Sequence, residues 1–170
     1  LVGHSYAGMV ITACADRLGA RIRRLVYWNA FVPRDGEALL DLVPPDYRTL
    51  FESLVEDDGG VMLPWPVWRE AFMNDADANL ARACYARLNR QPWATFTEPV
   101  TLGRDPAALA CAKSYINATE DTALPHALPW HPRLSQRLGL FRLVQVAGGH
   151  ELCFTAPARL AQAIADAARD

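Results

Sequence analysis

Ser5 lies in Leu1-Val-Gly-His-Ser-Tyr-Ala-Gly-Met-Val10, where two apolar residues run into Gly3-His4-Ser5-Tyr6-Ala7 and a helix-compatible apolar run follows at once. A serine with small residues two positions away on either side, at the passage from strand to helix, has the layout of a nucleophile elbow. The small neighbours answer a steric need, because the turn is sharp and the helix packs closely on the strand it leaves. Glycine is usual where Ala7 stands, so the pattern is met to within one methyl group. A serine hydroxyl is a poor nucleophile until a base takes its proton. Histidine, titrating near neutrality, can take that proton and later return it to a leaving group. A carboxylate holds the imidazole in the right tautomer and stabilises the imidazolium.

The chain offers four histidines for the base. His150 follows Ala147-Gly148-Gly149, where glycines let the chain turn sharply after a strand. His4 adjoins the serine, but strand neighbours point to opposite faces, so it is expected to face away. His126 and His131 fall in a proline-rich loop, where surface placement is the default. With Asp121 they could be imagined as metal ligands, but no further ligand-rich cluster joins them, and no metal is expected. For the acid, Glu120 and Asp121 compete after a strand ending near Ala118, and one residue of difference in the strand end would exchange them. Asn29, at the end of an earlier strand, cannot ionise.

These residues must be carried by elements that end side by side. Met9 to Leu18 reads as a helix, apolar nearly all round as if buried behind a sheet, and Gly19 ends it. Ile22 to Ala30 contains Leu25-Val-Tyr-Trp28, of strand composition and length. Strand, helix and strand within about thirty residues make the βαβ unit of a parallel sheet. Two further strands follow, Lys113 to Ala118 and Phe141 to Val146, and a helix from Pro157 to Ala168 closes the chain. Ser5, the acid pair and His150 then lie at the carboxyl ends of three parallel strands, where open α/β sheets bind ligands.

Between these pieces the pattern changes. The reading divides the chain into core residues 1–36, an inserted helical cap over 37–97 and core residues 98–170. The cap holds an amphipathic helix through Tyr47, Leu50, Phe51, Leu54 and Val55, and three of the five tryptophans, Trp65, Trp68 and Trp93. One or two of its aromatics are expected to line an apolar pocket. Asp75-Ala-Asp77-Ala-Asn79 mimics the start of a calcium loop, but Leu80 stands where glycine is needed and Ala86 where glutamate is needed.

Composition bounds the function. The 170 residues are 51% hydrophobic and 21% charged with a formal net charge of −2. Only Arg21-Ile-Arg-Arg24 is basic, which gives no footprint for nucleic acid. No apolar run approaches the roughly 20 residues of a membrane helix. Cys14, Cys84, Cys111 and Cys153 form no C-x-x-C pair and read as reduced and mostly buried. The chain starts at Leu1 inside an apparent strand, so a C-terminal piece of a longer protein is expected. With no signal or transit segment in view, a cytoplasmic location is the expectation.

Leu1–Val10, Leu25-Val-Tyr-Trp-Asn-Ala-Phe-Val-Pro33, Tyr115-Ile-Asn-Ala-Thr-Glu-Asp-Thr-Ala-Leu-Pro125 and Gly148-Gly-His-Glu151 together resemble the α/β-hydrolase superfamily. Within it the chain is similar to small bacterial esterases related to the plant methylesterase and hydroxynitrile lyase group. The resemblance implies a partial α/β-hydrolase fold, a parallel sheet with an inserted helical cap, and selects Asp121 over Glu120 as the acid. It implies Ser5 as nucleophile, His150 as base and the backbone N–H of Tyr6 as one oxyanion donor. The implied reaction is hydrolysis of a small, fairly hydrophobic carboxylic ester through an acyl-enzyme, with no cofactor. Two alternatives are a lyase using the same residues as a general base, and a non-catalytic small-molecule receptor. Hydroxynitrile lyases of the group carry a lysine directly after the histidine, and Glu151 stands there. The early loop that gives the family its second oxyanion donor has no counterpart here, so the isolated chain is expected to be weakly active or inactive.

Overall fold

The computed structural model describes residues 1–169. Strands β1 (Val2–Ser5), β2 (Arg24–Ala30), β5 (Ala112–Ala118) and β6 (Arg142–Val146) form a parallel sheet in the order β1-β2-β5-β6. The helix between the first two is α1 (Ala7–Leu18), and α7 (Pro157–Ala168) closes the chain.

The alternation of β2 explains why the sheet needs cover on both faces. Leu25 and Tyr27 join a cluster with Met9, Ile11 and Ala15 of α1, while Val26 and Trp28 join Ile116, Leu160, Ala163 and Ala167 on the α7 side. Successive strand residues point to opposite faces, so one apolar run feeds two layers. Buried hydroxyls are paired: Thr12 Oγ1 lies 2.8 Å from Tyr27 Oη, and Tyr115 Oη accepts from Ala30 N at 3.1 Å and donates to Ala30 O at 3.0 Å.

The helix α1 begins at Ala7, two residues earlier than expected, and is not apolar-buried all round. Val10 and Leu18 stand 47% and 40% exposed, because α1 packs on β1 and β2 from one side and its outer face meets solvent.

Residues 37–97 hold short elements: α2 (Pro45–Ser53), α3 (Trp65–Val67) running into a π-helical turn at Trp68–Phe72, α4 (Ala78–Tyr85) and α5 (Ala94–Thr97). Two strands of two residues each, β3 (Gly60–Val61) and β4 (Gln91–Pro92), pair antiparallel among them. Leu39, Leu40, Phe51, Val61 and Phe96 share the cluster of Met9 and Tyr27, so this segment packs into the same core. The short helix α6 (Leu152–Thr155) precedes α7.

Candidate active site

At the end of β1, Ser5 adopts φ of +51°, a left-handed conformation uncommon for a residue with a side chain. The β1–β2 register breaks at the same place: His4 pairs with Trp28, but Ser5 pairs with Ala30. The close approach behind the turn requires Gly8, where a Cβ would lie 2.0 Å from the carbonyl oxygen of Phe31. At Gly3 a Cβ would lie 2.8 Å from Ile11 Cδ1 and 2.9 Å from Ala7 O. Tyr6 enters α1 directly after the serine.

Asp121 follows β5, and its Oδ2 lies 2.6 Å from His150 Nδ1, with both side chains 1% exposed. Oδ1 accepts from Ala123 N at 2.7 Å, and the Asn29 amide donates to Oδ2. Glu120 does not reach the histidine: its backbone N donates to Gly148 O at 3.0 Å and its side chain is exposed. Burial alone would raise the Asp121 carboxyl, but the His150 charge and hydrogen bonds from His150, Asn29 and Ala123 outweigh it. The carboxyl therefore sits below its ordinary value. Burial would lower His150, but the Asp121 charge and hydrogen bond, with Glu151, raise it above the ordinary histidine value. An ionised acid behind a strengthened base is the outcome of both shifts.

The His150 ring is boxed by aromatic faces. Trp130 stacks on it at 5.3 Å, Phe72 meets it edge-on at 5.3 Å and His4 lies 4.4 Å away. His4 does not face away from the site. It stacks on Trp28 at 3.8 Å and lines the same cavity as Ser5 and His150, because the strand alternation breaks at the register shift and left-handed turn. Burial, then the nearby His150, holds the His4 pKa well below the ordinary histidine value.

Ser5, Tyr6 and His150 open on one cavity of about 270 Å³. Its wall is mostly apolar, with Phe51, Trp68, Phe72 and Phe96 from residues 37–97 and Phe31 and Trp130 from outside that segment. Trp68 therefore lines the cavity, whereas Trp65 packs on Tyr85 and Trp93 on Phe96. Asn89, Gln91 and Tyr47 supply polar groups.

Two positioning side chains escaped the sequence reading. Asn29, fully buried with φ of +33°, ties β2 to the acid turn: its Oδ1 accepts from Ala118 N at 2.7 Å while its amide reaches Asp121. Asp75, from the failed calcium loop, accepts at Oδ2 from Gly149 N at 2.9 Å and from Thr155 Oγ1 at 3.0 Å. Asp77 caps α4 through Asn79 N and Leu80 N. His131 bonds Ser135 Oγ at 2.6 Å, and His126 is exposed; neither joins Asp121. The one group of three metal-capable side chains among the described residues is His4, His150 and Glu151.

Residues 1–163 match the family described as the alpha/beta hydrolase family. The chain is 32% identical over 176 residues to the carbendazim-hydrolysing esterase of Nocardioides sp. (strain SG-4G), covering 97% of this chain and 69% of that protein. A crystal structure of an extracellular alpha/beta-hydrolase from a Paenibacillus species, described as sharing structural and functional homology with tobacco salicylic acid binding protein 2, superposes with a TM-score of 0.94. It is 34% identical, over 100% of this chain and 72% of that one. A pyrethroid hydrolase from Sphingobium faniae JZ-2 superposes with a TM-score of 0.75 at 26% identity, over 98% of this chain and 68% of that one.

Proposed function

The chain belongs to the alpha/beta hydrolase family, and we propose that within this hydrolase class it cleaves a carboxylic ester through an acyl-enzyme on Ser5. One observation carries the reading: His150, paired at 2.6 Å with the buried Asp121, lines the same cavity as a serine held in a left-handed turn. Esterase and hydrolase relatives at 32% and 26% identity support ester hydrolysis as the class of reaction.

In this mechanism the His150 Nε2 lone pair takes the Ser5 proton as Oγ attacks the ester carbonyl. The carbonyl oxygen becomes an oxyanion, and the backbone N–H of Tyr6 at the start of α1 is the donor this chain offers it. Collapse breaks the bond to the alcohol oxygen, which leaves with the proton from His150. Water, deprotonated by the same imidazole, then attacks the acyl carbon and releases acid and free Ser5. The negative Asp121 stabilises the imidazolium in both halves.

The aromatic wall favours a fairly hydrophobic, aryl-bearing ester that fits a cavity of about 270 Å³. Glu151 lines the cavity at the position where the resembling hydroxynitrile lyases carry a lysine, which disfavours a lyase releasing cyanide.

The test is hydrolysis of p-nitrophenyl acetate with intact-mass detection of the acyl-enzyme. Wild type, slow where only the Tyr6 N–H serves the oxyanion, acquires one acetyl group on Ser5, and Ser5→Ala acquires none. Turnover retained by Ser5→Ala refutes the acyl-enzyme reading.

A further inference from the structure

His4, His150 and Glu151 form a compact donor group of which the hydrolytic reading uses His150 alone. One donor atom from each lies within 4.8 Å of the others, and all three side chains line the cavity beside Ser5. We propose that this group binds a divalent transition-metal ion of the zinc type, and that the bound ion switches the hydrolase off by occupying the lone pair of its base.

His150 is already oriented as a ligand. Asp121 holds Nδ1 at 2.6 Å, leaving Nε2 as the nitrogen able to ligate. A carboxylate hydrogen-bonded behind an imidazole is also the usual outer arrangement of a metal-binding histidine, since it fixes the tautomer and strengthens the ligand. The pair that prepares a base therefore prepares a ligand.

His4 offers an orphan atom. His4 Nε2 is buried without a hydrogen-bond partner, while the ring is fixed against Trp28 at 3.8 Å. Buried polar atoms are rarely left unpaired, and an unpaired nitrogen on a ring held beside a second imidazole invites a ligand. Glu151 adds a carboxylate. Among the described residues its one hydrogen bond comes from the thiol of Cys153, at 3.6 Å. A cation would give it a counter-charge inside a mostly apolar wall.

Two imidazoles and a carboxylate suit zinc and its neighbours, whereas calcium and magnesium prefer all-oxygen sites. Bonds of about 2.0–2.1 Å in a tetrahedral site set donors about 3.3 Å apart, so the group must close by up to about 1.5 Å. The rotatable Glu151 side chain can close its own distances to the two imidazoles. The fourth position faces the cavity, open to water or to the substrate carbonyl. Because His150 Nε2 cannot hold a metal and a proton together, occupation removes the general base.

The experiment is calorimetric titration of the chelator-treated protein with zinc sulfate, alongside p-nitrophenyl acetate hydrolysis at each zinc concentration. One zinc per chain is expected, with inhibition following occupancy and reversed by EDTA, and with magnesium ineffective. Glu151→Gln is isosteric and His4→Phe keeps the stack on Trp28; each should weaken zinc binding at least about tenfold, with circular dichroism confirming the fold. Absence of binding up to about 0.1 mM zinc, or affinity unchanged in both variants, overturns the site. Binding is read by heat and stands apart from the ester-hydrolase reading, whereas the switch rests on that reading: full turnover with the site saturated overturns the switch alone.

Discussion

Asn29 donates its side-chain amide to Asp121 Oδ2, the same carboxylate oxygen that faces His150 Nδ1. Its Oδ1 accepts from Ala118 N at 2.7 Å, so one side chain locks the end of β2 to the turn that carries the acid. Asn29→Ala removes a hydrogen bond to a charged group and leaves a buried backbone N–H unpaired. The expected cost is about 2–4 kcal/mol in unfolding free energy, measured by urea denaturation. A larger effect is expected on kcat than on KM, because the loss is in the aim of the acid. Asn29→Asp sets a second carboxylate against the first and should raise the apparent pKa of the acid pair, seen as an altered acid limb of the rate profile. A normal rate profile in both variants would show that Asp121 needs no such anchor.

The Asp121–His150 pair sets a signed pH dependence. Catalysis needs neutral His150, and Asp121 raises its pKa, so the acid limb of kcat/KM should lie above the ordinary value of about 6.5. Asp121→Asn should move that limb downward while lowering kcat by about 10³–10⁴-fold. The stability signs differ for the two partners. Asp121 is depressed, so its contribution is present above the ordinary carboxylate pKa and fades as pH falls through the folded value. His150 is raised, so its contribution is complete below the ordinary histidine pKa and is lost as pH rises through the folded value. Thermal melts across pH should therefore show a plateau between the two, flattened in Asp121→Asn; a wild-type curve without either flank would contradict the pairing.

Gly8 sets the elbow's tolerance. A methyl group there would lie 2.0 Å from the backbone oxygen of Phe31, an atom that cannot rotate away, so α1 must lift from β2. Gly8→Ala is expected to destabilise by more than about 2 kcal/mol despite alanine's better helix propensity, and to lower activity by moving Ser5. Chemical denaturation and kcat/KM on the folded fraction read the two effects separately. Unchanged stability would mean that the helix and strand can part without penalty.

What the sequence made legible, and what it hid, follows the range of the interactions involved. Ser5 and His150 stand at turns announced by local chemistry, Gly3 and Gly8 about the serine and Gly148-Gly149 before the histidine, whereas only the family resemblance separates Asp121 from Glu120. The expected bounds of β2, β5 and β6 lie within two residues of the observed ones, but only β2, buried on both faces, carries a continuous apolar run, whereas β6 leaves Leu143 and Gln145 exposed. In the sequence Asn29 shows only a missing charge, since its partner lies 92 residues away. Strand alternation puts His4 and Ser5 on opposite faces, an inference that fails because the register shifts between them. The strands β3 and β4 are two residues long and include Pro92, too little for any period to register.

Asp75 shows how the segment of residues 37–97 reaches the chemistry. It lies 74 residues from Gly149, yet its Oδ2 receives Gly149 N at 2.9 Å and Thr155 Oγ1 at 3.0 Å, bracketing His150 from both sides in sequence. Neighbouring contacts reinforce the tie: Asn74 Nδ2 donates to Glu120 O at 2.9 Å, and Thr122 Oγ1 donates to Ala71 O at 3.1 Å. The segment thus grips both the acid turn and the histidine turn. Asp75→Ala breaks two hydrogen bonds to one carboxylate and should cost about 2–3 kcal/mol, with kcat falling about tenfold as His150 loses its fixed approach to Ser5. Asp75→Asn keeps an acceptor for Gly149 and should fall between the two. A graded series in kcat, with KM for p-nitrophenyl acetate nearly constant, would identify Asp75 as a positioning residue; a change confined to KM would place its role in the cavity wall instead.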